Sequence, residues 1–323
     1  MLNLQQRRPF YLSEAITIGY WLVVSFVILL FFQTLPEGRR VLAVHVGYLT
    51  FVAGLLIWSQ RLPAQLQLHL RMAFAAVMVP VAFMQLAGVV PYLNPIEMEA
   101  NLIRIDTRIF GVNPQEWMEQ HYHPVLTEVL QVVYACFYLI PIAVGVPLLM
   151  NGRNKDAEVF WTAVGLAFYL SYLTYIIVPA TSPYIFAETP EGKYLITYKE
   201  ELQGLLLTDR IRASIHEMER IKHDCFPSGH TAVSLVVLLM AFRQQRKVFW
   251  VALPVVSALI FSTVYLRYHY VIDLVAGAVL AVAIVIGTPW LVERWNRRYD
   301  LPDDPTTVPE LAGFQPARQR SPW

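Results

Sequence analysis

Charge is scarce in this chain of 323 residues: Asp, Glu, Lys and Arg make up 15% of it, against roughly a quarter in an ordinary soluble domain. The charges nearly cancel, to a formal net charge of +1, and no basic stripe or base-stacking motif stands out. Both observations argue against a nucleic-acid surface. Cysteine is rarer still. Cys136 sits inside an apolar run and Cys225 outside one, with neither a CxxC nor a Cys/His zinc spacing, so a disulfide framework and a structural zinc site are not expected. The paired histidine boxes of membrane di-iron enzymes are missing, and so is any internal repeat.

What is plentiful is apolar sequence, 56% of the chain, gathered in blocks long enough for a bilayer to be the solvent. Runs bounded by charge or proline place eight spans at about 14–33, 40–58, 70–90, 125–150, 159–179, 228–246, 248–266 and 270–292. The first follows Arg7 and Arg8 and is followed by "TLPEGRR" rather than a small-residue cleavage site, so it reads as an uncleaved span. The sixth is short, and spans only if its helix begins near Ser228 and runs into "RQQRK". The fold class expected is therefore all-α: a polytopic membrane bundle of about eight transmembrane helices.

Residues 1–13 form a short N-terminal segment, 14–296 the membrane domain, and the proline-rich stretch 297–323 a disordered tail. Two segments do not span. Residues 91–124 mix apolar and charged side chains and read as short amphipathic helices on the membrane surface, while 180–227 form a polar loop with a helix in its second half. Parity with eight spans puts both termini on one face and the surface segment, the long loop and "LRYHYVID" on the other. A small majority of the 25 Lys and Arg residues fall on the first face, in short loops beside span ends. The positive-inside rule then makes both termini cytoplasmic and turns the other face to periplasm or lumen.

Chemistry-bearing residues collect on that second face. In "LRYHYVID", His269 and Asp273 are four apart, on one helical face, so the carboxylate can hold one imidazole nitrogen and leave the other as base or nucleophile. In "PSGH", Ser228 suits an N-cap, Gly229 allows close backbone approach, and His230 sits in a first turn whose free amides and dipole attract an anion such as phosphate. Titratable groups at the mouths of membrane helices are costly and usually functional. The remaining histidines read as ordinary: His121 and His123 near Glu119 as interfacial packing, His45 and His69 as buried or headgroup-facing rings.

"CFPSGHTA" followed some forty residues later by "YLRYHYVIDLVAG" resembles the membrane-bound type 2 phosphatidic acid phosphatase superfamily, and in particular its inositol phosphorylceramide synthase-like (inositolphosphotransferase) branch. The resemblance implies a six-helix phosphatase-like core at about 125–292 and phosphoryl transfer without metal or cofactor through a phosphohistidine. Carried onto this sequence, His269 is the nucleophile, Asp273 its orienting partner and His230 the general acid, with Ser228 and Gly229 cradling phosphate. The basic first motif of the phosphatases is not matched: span five ends in "VPATSPY", and Thr263 stands where a later arginine is expected. Arg267 is the first choice for the compensating cation, with Lys193, Arg212 and Lys222 behind it. The missing motif favours a lipid phosphotransferase that moves a head group such as phosphoinositol to an alcohol acceptor. A lipid phosphate phosphatase using water is the alternative, and a non-catalytic transporter or scaffold the third reading. A membrane lipid phosphate is the expected partner in the first two.

Overall fold

A computed structural model describes residues 10–86, 89–218 and 223–299, leaving aside the side chains of 216–218. Arg7, Arg8, Lys222 and the tail from residue 300 lie outside the described residues. All regular structure among the described residues is helical: α1 (Leu12–Leu30), α2 (Gly38–Ser59), α3 (Ala64–Leu86), α4 (Val90–Leu93), α5 (Glu99–Phe110), α6 (Pro114–Glu119), α7 (Pro124–Ala135), α8 (Leu139–Met150), α9 (Asn154–Ile177), α10 (Pro183–Phe186), α11 (Gly192–Leu195), α12 (Thr208–Met218), α13 (Gly229–Gln244), α14 (Arg246–Tyr265) and α15 (Val271–Arg298).

Six of these, α1, α2, α3, α9, α14 and α15, are long and apolar enough to cross a membrane. The helices α7 and α8 make one further pass, bent by 45° at their junction. With α13 this gives one helical segment for each of the eight expected spans, in a polytopic helical bundle. Within 125–292 the apolar helices are α7, α8, α9, α13, α14 and α15, with the short α10, α11 and α12 between α9 and α13.

The sixteen-residue α13 explains how a short span is tolerated. At 1.5 Å per residue it covers about 24 Å, less than a hydrocarbon core of about 30 Å. Its core positions Val233, Val236, Val237 and Ala241 are fully buried, enclosed by α9, α14 and α15, so it need not match the lipid thickness. The tightest crossing is at Gly277 of α15, where a Cβ would stand 2.6 Å from the Ser228 carbonyl oxygen. Only glycine lets the two backbones approach so closely.

The helices α1 to α3 lean on α9, with Tyr20 stacked on Tyr169 at 4.6 Å between ring centroids. Inside this contact Glu14 accepts from the Tyr11 amide at 2.8 Å and pairs with Arg71, whose guanidinium also lies 4.6 Å from the centre of the Tyr11 ring. Both charges are buried, Arg71 completely. Trp295 Nε1 donates to the Phe10 carbonyl at 3.4 Å, so the start of α1 and the end of α15 share one end of the bundle.

A buried pair is costly to break and cheap to replace. Arg71→Ala should lower stability in detergent by roughly 3–5 kcal/mol, whereas Arg71→Met combined with Glu14→Leu should cost much less. Thermal unfolding of the two variants separates these outcomes.

Candidate active site

The first half of the site is the start of α13. Ser228 is its N-cap: the hydroxyl accepts from the Thr231 amide at 3.2 Å. Gly229 follows because the Tyr175 hydroxyl would lie 2.6 Å from any Cβ there. His230, in the first turn, lies between aromatic rings, stacked on Tyr134 at 4.4 Å and tilted against Phe137 at 4.3 Å. Packing on both sides fixes the ring without using its nitrogens.

The second half is the turn into α15. Tyr268 and His269 both donate their amides to the Thr263 carbonyl, at 2.9 and 3.0 Å, which folds the chain tightly back on the end of α14. Arg267 takes a left-handed φ of 66° to make the turn. Gln115 of α6 donates to the His269 carbonyl at 2.9 Å. Asp106 of α5 accepts the first two amides of α15, Val271 at 2.7 Å and Ile272 at 2.9 Å. Surface helices thus hold the α15 start in place. Neither Asp106 nor Gln115 was singled out from the sequence, because a residue that caps a helix distant in the chain leaves no local pattern.

Between the two halves the histidines meet, His269 Nε2 standing 3.4 Å from His230 Nδ1. The opposite nitrogen of His269 faces oxygens: the Cys225 carbonyl at 3.0 Å and Asp273 Oδ2 at 3.4 Å. Two acceptors on that side place the proton on Nδ1, which leaves the Nε2 lone pair pointing toward His230. Asp273 is fully buried and also accepts from the Tyr270 amide at 2.9 Å and the Cys225 thiol at 3.0 Å. Burial beside Asp273 pushes the Cys225 thiol up, so it stays protonated and donates. Cys225 is a further site residue that a lone cysteine in a sequence does not announce.

Cys225, His269 and Asp273 are also the metal-capable set among the described residues, with donor atoms within 4.8 Å of one another. Their chemistry fits a hydrogen-bonded cluster better. The thiol is held protonated, and a divalent ion on Nδ1 would draw electron density from the nitrogen left for attack.

The cation expected beside phosphate is not where the sequence put it. Arg267 points away from the histidine pair: its guanidinium pairs with Glu119 at 2.9 Å, donates to the Glu200 carbonyl at 3.1 Å and lies 3.8 Å from the centre of the Tyr198 ring. With its charge matched by Glu119 and its side chain buried, it anchors the long loop over the surface helices. Arg212 is tied to the Leu202 carbonyl, and Lys193 is exposed on α11. The described arginine that shares a cavity with His230 is Arg210 of α12. His123 caps α7 by accepting from the Val125 amide at 3.2 Å, His121 packs on Trp117, and buried His45 meets Ser25 at 3.1 Å. His69 meets Gln65 at 2.9 Å.

The cavity measures about 1350 Å³. Its polar end carries His230, Gly229, Asp224, Arg210 and Ser214, and the rest of its wall is mainly apolar and aromatic. Burial pushes the Asp224 carboxyl up to about 6, with His269 pulling partly the other way.

The sequence pattern of the PAP2 superfamily matches residues 100–287, more than half of the chain and the whole of the histidine site. A PA-phosphatase related-family protein of Dictyostelium discoideum is 28% identical over 168 residues, which cover 47% of this chain and 30% of that relative's length. No solved structure matches.

Asp106→Ala should strand two helix-start amides, lowering stability by about 1–3 kcal/mol and slowing turnover as the His269 turn loosens. Thermal unfolding and initial rates measured on the same preparation check this. The native state also binds the Asp224 proton more tightly than an unfolded chain with its ordinary value of 3.8, so stability falls as pH rises from about 4 to 6. Asp224→Asn should therefore melt with the parent at pH 4 and above it at pH 7.

Proposed function

The chain belongs to the PAP2 superfamily, a family of lipid phosphatases and phosphotransferases, and we propose that it transfers a phospho-head group from a lipid donor through a phosphohistidine on His269. One observation carries this reading: His269 has its Nδ1 side tied to Cys225 and Asp273, and its Nε2 side turned to a second histidine at 3.4 Å. That is the disposition of a nucleophile oriented by one partner and served by an acid–base group on the other side.

In the first step the Nε2–phosphorus bond forms as the ester bond to the leaving alcohol breaks, and His230 gives its proton to the departing oxygen. Asp273 stabilises the imidazolium character that develops on His269. The positive end of α13, reached past Gly229, and the Arg210 guanidinium take up charge on the phosphoryl oxygens. In the second step an acceptor hydroxyl gives its proton to His230, its oxygen bonds phosphorus, and the nitrogen–phosphorus bond breaks. Ser228 holds the α13 start in register. The cycle is balanced without a metal or cofactor.

A lipid alcohol or polyol is the acceptor preferred here, receiving a head group such as phosphoinositol from the donor, as in the inositolphosphotransferase branch that the site motifs resemble. Asp224 supports this preference: a carboxylate in the same cavity suits hydroxyl donors better than a second anion. Water is the second reading, supported by the relative's description as phosphatase-related. The site opens on the face opposite the termini, which the positive-inside rule assigns to periplasm or lumen, with both termini cytoplasmic.

His269→Ala should abolish turnover of labelled phospholipid, and His230→Asn should reduce kcat by about 10²–10⁴. An acid-labile phosphoryl label on His269 and full activity in EDTA are expected. Products identified with and without added alcohol decide the acceptor. Turnover that survives His269→Ala would sink the mechanism, and phosphate release independent of alcohol would transfer the preference to the phosphatase.

A further inference from the structure

The cavity that holds His230 extends well beyond the space a phosphate needs. From its polar end it runs along α9, past Tyr175, Tyr172 and Phe168 to Val164 and Trp161. These positions recur at helical spacing on one face, and the span from Tyr175 to Trp161 follows about 21 Å of helix axis. Opposite stand Tyr138, Pro141 and Ile142, at the bend where α7 passes into α8. The pass bends by 45° beside this stretch of the groove.

The third wall is α3. Val77, Pro80 and Met84, with Ala76 and Phe83 beside them, line the cavity on one helical face. This wall lies outside residues 100–287, the stretch that matches the family pattern. Val77 is 61% exposed and Met84 70% exposed, whereas Met78 and Ala82 on the other side of the helix are buried in the bundle. A row of apolar side chains, packed behind and open in front, faces a groove that ends at the proposed acid–base histidine. The groove is amphipathic lengthwise, with Arg210 and Ser214 at the polar end and aliphatic and aromatic side chains beyond. Its chemistry matches one molecule with an anionic head and a long apolar tail.

We propose that α3 forms the outer wall of a lipid-tail groove, and that Val77, Pro80 and Met84 set which tails the enzyme accepts. This rests on the reading of the site as lipid-phosphate chemistry. It adds that tail selection comes from a helix outside the family-matched region, so chains sharing the histidine site but differing in this helix would differ in lipid preference. Filling the groove from α3 then acts on the tail alone. The reacting groups of α13 and α15 are held by Asp106, Gln115 and Asp273, none of which touches α3 through any bond described above.

The test uses the full chain in nanodiscs containing phosphatidic acid with a diazirine on its acyl chain. Labelled peptides are mapped by mass spectrometry for the parent, Val77→Trp and Met84→Trp. Labelling of α3 and α9 cavity residues should exceed that of the lipid-facing residues Val46, Phe51 and Ile57 on α2, and each tryptophan should reduce it several-fold. Labelling equal to that of α2, or unchanged by both tryptophans, means bulk lipid only and overturns the proposal. In a parallel assay, the tryptophans should lower kcat/KM for long-chain phosphatidic acid by about tenfold or more and leave the dihexanoyl form within about twofold. Equal losses on both substrates would overturn tail selection. Because labelling does not require turnover, repeating it on His269→Ala separates the two ideas. A groove that labels in a protein without lipid-phosphate turnover retains the lipid site and removes the chemistry.

Discussion

Asp273 fastens two helix starts to each other, and the site depends on that fastening. Its side chain accepts from the Tyr270 amide and the Cys225 thiol and faces Nδ1 of His269, while its main-chain carbonyl accepts from the Ser228 amide at 3.0 Å. One residue therefore caps α15, orients the imidazole and docks the start of α13. A buried carboxylate is expensive unless its lone pairs are used, and here the three partners gathered on Oδ2 are the parts that must be held in register. The crossing at Gly277, one turn further along α15, makes the docking possible by letting the backbones approach.

The division between what the sequence reveals and what it hides follows the range of the interactions. Apolar runs are local, so helix was found at each of the eight expected spans, in two pieces at 125–150, and the amphipathic character of α5 was plain. His269 and Asp273 share a helical turn, and "PSGH" is contiguous, so spacing alone brought out both halves of the site. Parity then put the halves on one face. The bend between α7 and α8 was not visible: the apolar run continues through it, and Pro141 falls after the break rather than in it. Nor were Asp106, Gln115 and Cys225, whose partners lie 44 to 166 positions away.

Arg267 shows why proximity in sequence misleads for charges. Two residues before the proposed nucleophile is a natural place to look for a phosphate ligand, yet Arg267 sits at a left-handed turn with its side chain engaged elsewhere. Glu119, Tyr198 and the Glu200 carbonyl receive it. A guanidinium so matched has little field left for a substrate. The long loop instead brings Arg210 over the cavity from a helix whose position depends on tertiary structure, including the Glu128 carboxylate that accepts from the Thr208 amide at 3.2 Å and the Thr208 hydroxyl at 2.7 Å.

The same logic assigns different tasks to the two parts of the bundle. Groups proposed to react must be closely fixed, and they sit where α9, α13, α14 and α15 enclose one another. A tail that only needs an apolar wall tolerates looser packing, and α3 supplies that wall, fastened to α1 at its far end by Glu14 and Arg71. That buried pair lies at the end of the bundle shared by the start of α1 and the end of α15, while His230 lies at the other. It can hold α3 against α1 at that end, while the cavity-lining Val77, Pro80 and Met84 lie further along α3 toward the other.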